Sequence, residues 1–295
     1  MRFTSTVLRQ LLFTTFLMFG SYLETFSQET DSSKVKRPGL FVGLTLGTFQ
    51  SQVNNEGILS VSDIHSGKKN SFMGTLEIGY FFSDYIGLSS GFGFISANGQ
   101  VTLNSYQNKF NTTDSENETY ERQVLGTNMK EVQNIGFLSV PIILHIRLPL
   151  NKKTGFFMQT GIDVSVPLIK NYHSSGTFTY KGYYPAYNVL LENLPAYGFP
   201  NNASIVTDGK LELKPLCFDA IAAAGFDFFI RKNMQIAIAA YYNQSLSNIS
   251  AYTLPEKFQL STDVNQMNSL MGGSSKATVQ SMGLKITLRY FLTKY

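Results

Sequence analysis

Apolar and polar residues alternate along much of this chain with a period of two, the spacing typical of β-strands. Near the C-terminus, for example, Leu284, Ile286 and Leu288 alternate with Lys285 and Thr287. The pattern predicts eight strands, with these approximate bounds: Gly39–Gln50, Phe72–Ser83, Tyr85–Ala97, Ile135–Pro149, Gly155–Leu168, Leu213–Ile230, Met234–Gln244 and Lys276–Leu292.

The connections between these segments alternate between short and long. Three are turns of a few residues, at 83–84, 151–154 and 231–233. Four are polar stretches rich in Asn, Ser, Thr, Gly and Tyr, at 51–71, 98–134, 169–212 and 245–275. Strict alternation of this kind is typical of an up-and-down barrel with tight periplasmic turns and long extracellular loops. We therefore predict an all-β, eight-stranded antiparallel transmembrane barrel with four long extracellular loops.

The composition agrees with a membrane environment. Only 15% of the 295 residues are charged, against about 25% in soluble domains, and the chain contains 24 Phe and 16 Tyr. One face of each predicted strand is apolar and suits lipid, whereas the other is glycine-rich, small or charged and suits a narrow lumen. The expected location is the outer membrane, with lipid as a partner. A soluble periplasmic β-protein remains the alternative.

The N-terminus has the features of a secretory signal peptide. Arg2 and Arg9 precede the apolar run 11–19, and the small residues Thr25 and Ser27 follow at a spacing suited to signal peptidase. The apolar run is about half the length that a membrane-spanning helix needs. The predicted domains are a signal peptide at 1–27, a periplasmic lead at 28–38 and a barrel at 39–295.

Several charged residues fall on the inward register of the predicted strands. Buried charges are tolerated when they are paired and hydrogen-bonded, so we expect a structural network inside the lumen, with a proton- or ion-conducting path as the alternative. The predicted lumen charge network consists of Glu77, His145, Arg147, Asp163, Asp219, Asp227, Lys285 and Arg289.

Candidate chemistry is sparse. The single cysteine, Cys217, excludes an intramolecular disulfide, and no zinc-binding spacing, nucleophile elbow or phosphate-binding glycine loop is present in the sequence. His65 and His173 stand beside Ser66 and Ser174 in predicted loops, which leaves a lipid-modifying enzyme as an alternative. We expect no cofactor and no metal. Because the net charge of +4 is scattered along the chain, we also expect no nucleic-acid partner.

Tyrosines cluster in the long stretch between the fifth and sixth predicted strands. Tyrosine is favoured at binding surfaces and in the membrane interface, so self-packing or interfacial anchoring and recognition of a protein or glycan are both open. The loop contact candidates are Tyr172, Tyr180, Tyr183, Tyr184, Tyr187 and Tyr197.

Two motifs resemble known outer-membrane proteins. The C-terminal stretch 281–291 resembles the assembly signal of outer-membrane barrels, through Gly283, Ile286, Leu288, Tyr290 and Phe291. The strand Phe137–His145 and the hairpin Gly79–Leu88, followed by Gly91-Phe92-Gly93, resemble the PorT-like outer-membrane barrel family of Bacteroidota, although Ser139 and His145 replace that family's Glu and Lys.

The resemblance implies an outer-membrane barrel that uses the barrel-assembly machinery during insertion. The function we expect is that of a non-enzymatic membrane anchor, scaffold or accessory subunit with partner-binding loops and a possible outer-membrane protein partner. The alternatives are a small pore or a lipid-modifying enzyme.

Overall fold

A computed structural model describes residues 39–56, 64–253 and 258–292. The predicted signal peptide and N-terminal lead lie outside these residues. In the part of the chain described, no helix is long and apolar enough to cross a membrane. The described residues form ten strands and two short 3-10 helices, at Pro195–Tyr197 and Leu270–Gly273. The strands are β1 (Leu40–Glu56), β2 (Ile64–Phe81), β3 (Ile86–Thr113), β4 (Thr119–Pro149), β5 (Thr154–Tyr184), β6 (Val189–Glu192), β7 (Ala203–Lys210), β8 (Cys217–Arg231), β9 (Met234–Ser245) and β10 (Lys276–Phe291).

Eight of these strands form a closed antiparallel ring. Its order is β1-β2-β3-β4-β5-β8-β9-β10, and β10 pairs with β1 from Phe41–Phe291 to Glu56–Lys276. β5 pairs with β8 through residues 154–165, then with β7 through 171–178 and with β6 through 181–184. The predicted eight-stranded barrel is confirmed, and β6 and β7 extend it beyond the ring.

The short turns at one end of the barrel are held by local side-chain hydrogen bonds. Ser83 Oγ accepts from the backbone N–H groups of Tyr85 and Ile86, and Asn151 Oδ1 accepts from those of Lys153 and Thr154. These side chains replace the ladder partners that the reversing backbone loses. On the general pattern of membrane barrels this end is periplasmic.

An apolar band surrounds the half of the ring nearest these turns. Exposed outward residues on β4 run from Leu138 to Ile146 at every second position, and on β5 the apolar series ends at Leu168 and Ile169, followed by Asn171 and His173. The nine residues from Leu138 to Ile146 match the length of about 9–11 residues with which a tilted β-strand crosses a membrane. Exposed aromatic residues mark both edges of the band: Tyr80, Phe82, Tyr85, Phe226, Phe228 and Tyr290 near the turns, and Phe72, Phe92, Phe218 and Tyr242 on the other side.

The expectation of four long loops is wrong for much of the chain. Residues 98–113 continue β3, 119–134 continue β4 and 169–184 continue β5, so the sheet extends far beyond the apolar band. In this extension the polar face points out to water and the apolar face points in. The alternation in the sequence predicts strands whose outward face is apolar and meets lipid. Above the membrane the outward face is polar and the inward face apolar, so the predicted strands end at this change. Register shifts at Thr127/Lys130 and Gly136/Phe137 interrupt the alternation further.

Candidate functional site

An aromatic floor closes the lumen at the periplasmic end. Phe41, Phe81 and Phe291 form one buried cluster, with ring centroids of Phe41 lying 5.5 Å from Phe81 and 5.7 Å from Phe291. The three residues come from the ends of β1, β2 and β10, which meet there because β1 lies between the other two strands. The three rings thus occupy lumen space at this end of the barrel.

Two ion pairs lie against this floor. The Arg147 guanidinium donates from Nε and Nη2 to the two carboxylate oxygens of Asp227, each at 2.5 Å. Arg289 Nε donates to Glu77 Oε1 at 3.0 Å. All four side chains are almost fully buried. A bidentate arginine–carboxylate contact has the geometry that a buried charge needs, because it satisfies several polar atoms at once.

Neutral side chains and His145 extend the Arg289–Glu77 ion pair into a network. Its Nδ1 faces two donors, Gln159 Nε2 at 2.9 Å and Arg289 Nη2 at 3.4 Å, so Nδ1 must act as the acceptor. Its Nε2 lies 2.7 Å from Ser89 Oγ and is the nitrogen left to carry the proton. His145 is therefore neutral in this arrangement and orders the network; it is not itself a third cation.

The structure places all eight residues of the predicted charge network inside the barrel. Six of them gather near the floor: Glu77, His145, Arg147, Asp227, Lys285 and Arg289. Lys285 Nζ lies 5.3 Å from the ring centroid of Tyr241. Asp163 and Asp219 lie apart from this group, farther along β5 and β8. Ser89, Gln159 and Gln235 complete the network. They share the inward register but carry no charge, so a prediction based on charged residues does not include them.

Above the membrane level the lumen is an apolar chamber. Buried side chains from β3, β4, β5 and β7 form one cluster, which includes Val101, Leu103, Val124, Met129, Phe178 and Ile205. Part of the β9–β10 connection folds into this cluster, and Leu260, Met267 and Leu270 are fully buried or nearly so. We call the described residues 258–274 of this connection the inner segment. Its apolar side chains pack inside the chamber and form part of its hydrophobic core.

The inner segment is fastened to the barrel wall by polar contacts. Tyr106 Oη accepts from the Leu260 N–H at 3.1 Å, and the Tyr180 hydroxyl lies 2.5 Å from Ser261 Oγ. Glu131 on β4 makes the densest set of contacts: its carboxylate accepts from Ser269 Oγ at 3.0 Å and from the Leu270 N–H at 2.7 Å. Ser174 and Gln133 also donate to it.

Glu131 lies beyond the apolar band, and its environment acts on its pKa in two ways. Burial raises the pKa and is the larger effect, whereas the four donated hydrogen bonds lower it. We missed this residue in the sequence because it falls within the polar stretch 98–134. Glu131 alternates with Met129 and Gln133 at every second position, and this spacing is the sequence feature that places it on the inward face.

The six tyrosine candidates occupy different environments. Tyr172, Tyr180, Tyr183 and Tyr184 belong to β5 and not to a loop. Tyr180 is buried against Phe178, and Tyr184 stacks on Tyr120 with centroids 5.0 Å apart and donates to Asp114. Tyr187 and Tyr197 are the exposed members, at 60% and 75% of their surface. Only these two present most of the ring to solvent.

The histidine–serine pairs that suggested catalysis face opposite sides of their strands. His173 points outward and pairs with Asp208 at 2.7 Å, whereas Ser174 is buried and donates to Glu131. His65 and Ser66 are likewise neighbours on one strand, β2, and neighbours on a strand point in opposite directions. Neither pair can form a histidine-activated hydroxyl. Within the described ranges, no group of three or more His, Cys, Asp or Glu is placed to hold a metal ion.

The residues of the C-terminal signal lie on β10, where the ring closes. Ile286, Leu288 and Tyr290 face outward within the apolar band, and Phe291 belongs to the floor. Gly283 packs against β1 so closely that a Cβ atom there would collide with the Thr48 carbonyl oxygen. The residues of this motif therefore have three roles on the last strand of the ring: they contact lipid, pack in the floor and allow close pairing with β1.

The family of the chain follows from its sequence match. A family model described as "Outer membrane protein beta-barrel domain" matches residues 26–251, well over half of the chain. The protein belongs to this outer-membrane β-barrel family. Its location is therefore the outer membrane, in agreement with the apolar band and the two aromatic edges. No curated protein matches this outer-membrane barrel.

Several solved structures are similar to this outer-membrane barrel at low sequence identity. Neisserial surface protein A is 7% identical, with 86% of this chain and 97% of that one covered and a TM-score of 0.41. The outer membrane protein OprG from Pseudomonas aeruginosa is 12% identical, with 87% and 98% covered and a TM-score of 0.37. Ail, the attachment invasion locus protein of Yersinia pestis, is 12% identical, with 85% and 99% covered and a TM-score of 0.32.

Proposed function

We propose that this barrel is a non-enzymatic membrane anchor of the PorT-like type that holds a protein-binding surface above the outer membrane. The observation that carries the proposal is an exposed apolar surface at the far end of the extension. We call it the outer tip; it consists of Tyr187, Val189, Leu190, Leu194 and Tyr197, which are between 38% and 75% exposed.

The outer tip lies too far from the membrane to serve as a lipid anchor. Between Ile169, at the edge of the apolar band, and Tyr183, beside the tip, β5 runs for 14 residues. At about 3.3 Å per residue this is about 45 Å along the strand, which a tilt of about 40° reduces to a height of about 35 Å. Tyrosines at that height are beyond the lipid headgroups. This supports recognition of a protein over interfacial anchoring.

The interior supports an anchor over a pore. The aromatic floor and the two ion pairs close the periplasmic end, and the inner segment fills the chamber above. The opposed orientation of His173 and Ser174 removes the arrangement that motivated a lipid-modifying enzyme. β10 carries the residues that we propose the barrel-assembly machinery binds during insertion.

The test is proximity cross-linking on intact cells, followed by mild-detergent extraction. The variant Leu190→Ser/Tyr197→Ser removes apolar area from the outer tip, and Val206→Ser removes a similarly exposed apolar side chain from β7 as a matched control. We expect one protein to be cross-linked to the wild type and to Val206→Ser and to be lost from the tip variant. Equal cross-linking in all three forms would contradict the proposal. The heat-dependent gel mobility of each variant shows whether the barrel is folded.

A further inference from the structure

Two acidic residues face each other inside the barrel without a basic partner. Asp163 on β5 and Asp219 on β8 are direct partners in the strand register, and both side chains point into the lumen. Asp163 is 1% exposed and Asp219 is 8% exposed. Among the residues that the structure describes, neither forms an ion pair within 4 Å. Like charges this close in a buried site repel each other unless something compensates them.

The other lumen charges do not provide that compensation. Arg147 is committed to Asp227 and Arg289 to Glu77. Lys285 lies beside Tyr241 and interacts with Glu77 and Arg289 near the floor. No basic side chain of the described residues therefore pairs with Asp163 or Asp219.

A small cavity lies beside the two acids. Ile95, Ala97, Phe137 and Val279 form the apolar part of its wall, and three buried oxygen atoms without a hydrogen-bond partner line the polar part. They are Asp163 Oδ1, Asp219 Oδ1 and Ser165 Oγ. Ser165 is 1% exposed and neutral, so its unsatisfied hydroxyl is an observation independent of the acidic pair. Asn243 and Ser281 also line the cavity and bring further oxygen atoms to it. Buried polar atoms in native proteins are nearly always satisfied by protein groups, ordered water or a bound ion, so these oxygen atoms need a partner from outside the chain.

We propose that this cavity binds a hard divalent cation, with Ca²⁺ as the best match. The candidate ligands are the carboxylates of Asp163 and Asp219, the hydroxyls of Ser165 and Ser281 and the amide oxygen of Asn243, the oxygen types that Ca²⁺ prefers, and each carboxylate can contribute both of its oxygens. A charge of +2 would balance the two carboxylates. A proton shared between the acids would form one hydrogen bond and leave Ser165 Oγ unsatisfied.

The position of the site gives the cation a structural task. β5 and β8 part immediately above it, because their pairing ends at Ser165–Cys217 and β5 then pairs with β7. A cation bound by Asp163 and Asp219 links the two strands two residues below this point. We expect it to hold the barrel closed where the hydrogen-bonded ladder between them ends.

Metal analysis of the full barrel tests the proposal. The protein is refolded from inclusion bodies with Ca²⁺, so that no lipopolysaccharide carries divalent ions, and desalted for elemental analysis. We expect about one Ca²⁺ per barrel in the wild type and in the control Asp208→Asn, whose acid lies on the exposed outer surface, and none in Asp163→Asn/Asp219→Asn. We also expect EDTA to lower the unfolding midpoint of the wild type, measured by heat-dependent gel mobility, and not that of the double variant.

Folded wild-type barrel without stoichiometric Ca²⁺ would overturn the proposal, as would equal Ca²⁺ in the double variant. A wild-type midpoint that responds to pH but not to Ca²⁺ or EDTA would assign a shared proton to the two acids and would also overturn it. Should the double variant fail to fold, Ser165→Ala and the EDTA comparison on the wild type decide the question. None of these results depends on the outer tip or on its partner.

Discussion

Arg147 on β4 reaches across β5 to bind Asp227 on β8, and its guanidinium passes over Gly155. The strand register places Gly155 between them, paired with Pro149 on one side and with Asp227 on the other. A Cβ atom at position 155 would lie 2.5 Å from the guanidinium carbon. One buried ion pair thus links β4 to β8 across β5. Position 155 needs a glycine because the Arg147 guanidinium occupies the space that a side chain there would fill.

Removing one partner of this bridge should destabilise the barrel strongly. Asp227→Ala leaves the buried Arg147 charge uncompensated, and we expect a loss of about 3–5 kcal/mol in the free energy of unfolding. Urea unfolding in detergent, followed by gel mobility, measures the loss. Asp208→Ala removes an exposed acid and should change stability by less than about 0.5 kcal/mol.

The paired replacement separates the charge from the packing. Arg147→Met/Asp227→Leu removes both charges together, and we expect it to recover most of the stability that Asp227→Ala loses. A double variant as unstable as the single one would show that the bridge contributes through something other than charge compensation.

The docking of the inner segment should depend on pH through Glu131. Because burial raises the pKa of this carboxyl, the docked state holds a proton where the undocked state has released it. Docking should therefore be strongest below the ordinary carboxyl pKa and weaken as the pH rises through the raised value. Hydrogen exchange across residues 258–274 measures this, and Glu131→Gln should remove the pH dependence. Identical pH profiles in the two forms would contradict the role of Glu131.

Closure of the ring should fail when Gly283 is enlarged. In Gly283→Leu the side chain collides with the β1 backbone at Thr48, so we expect little folded barrel in the outer membrane. Leu284→Val changes the next residue, which faces lipid, and should assemble as well as the wild type. Fractionation with heat-dependent gel mobility distinguishes the two. Normal assembly of Gly283→Leu would show that β1 and β10 pair less tightly than described.

The barrel should not conduct ions. In planar bilayers we expect no stepwise conductance from the wild type, and none when residues 252–274 are replaced by a short Gly-Ser linker, because the floor of Phe41, Phe81 and Phe291 remains. Conductance in the shortened form alone would show that the inner segment, and not the floor, is the barrier. Conductance in the wild type would favour the pore.

The sequence was informative where strands meet lipid and less so above the membrane. Within the apolar band the alternation correctly placed Glu77, Asp163 and Lys285 inside, because lipid admits no charged outward side chain. Above the band the outward positions are polar or charged, for example Gln107, Lys109 and Lys130, as on the surface of a soluble protein, and their pattern favours loops. Glu131 was missed for that reason. Its partners Ser269 and Leu270 are 138 and 139 residues away, and strand periodicity carries no information about such a contact.

We predict that the barrel crosses the outer membrane with its short turns in the periplasm and its polar extension outside the cell. Single cysteines at Thr177, Ile142 and Lys152 test it directly on intact cells with a membrane-impermeant maleimide, and the native Cys217 is buried and gives little background. We expect Thr177→Cys to be labelled on intact cells. Lys152→Cys should be labelled only after the cells are opened, and Ile142→Cys only after the protein is unfolded. Labelling of Lys152→Cys from outside, or protection of Thr177→Cys, would contradict this orientation.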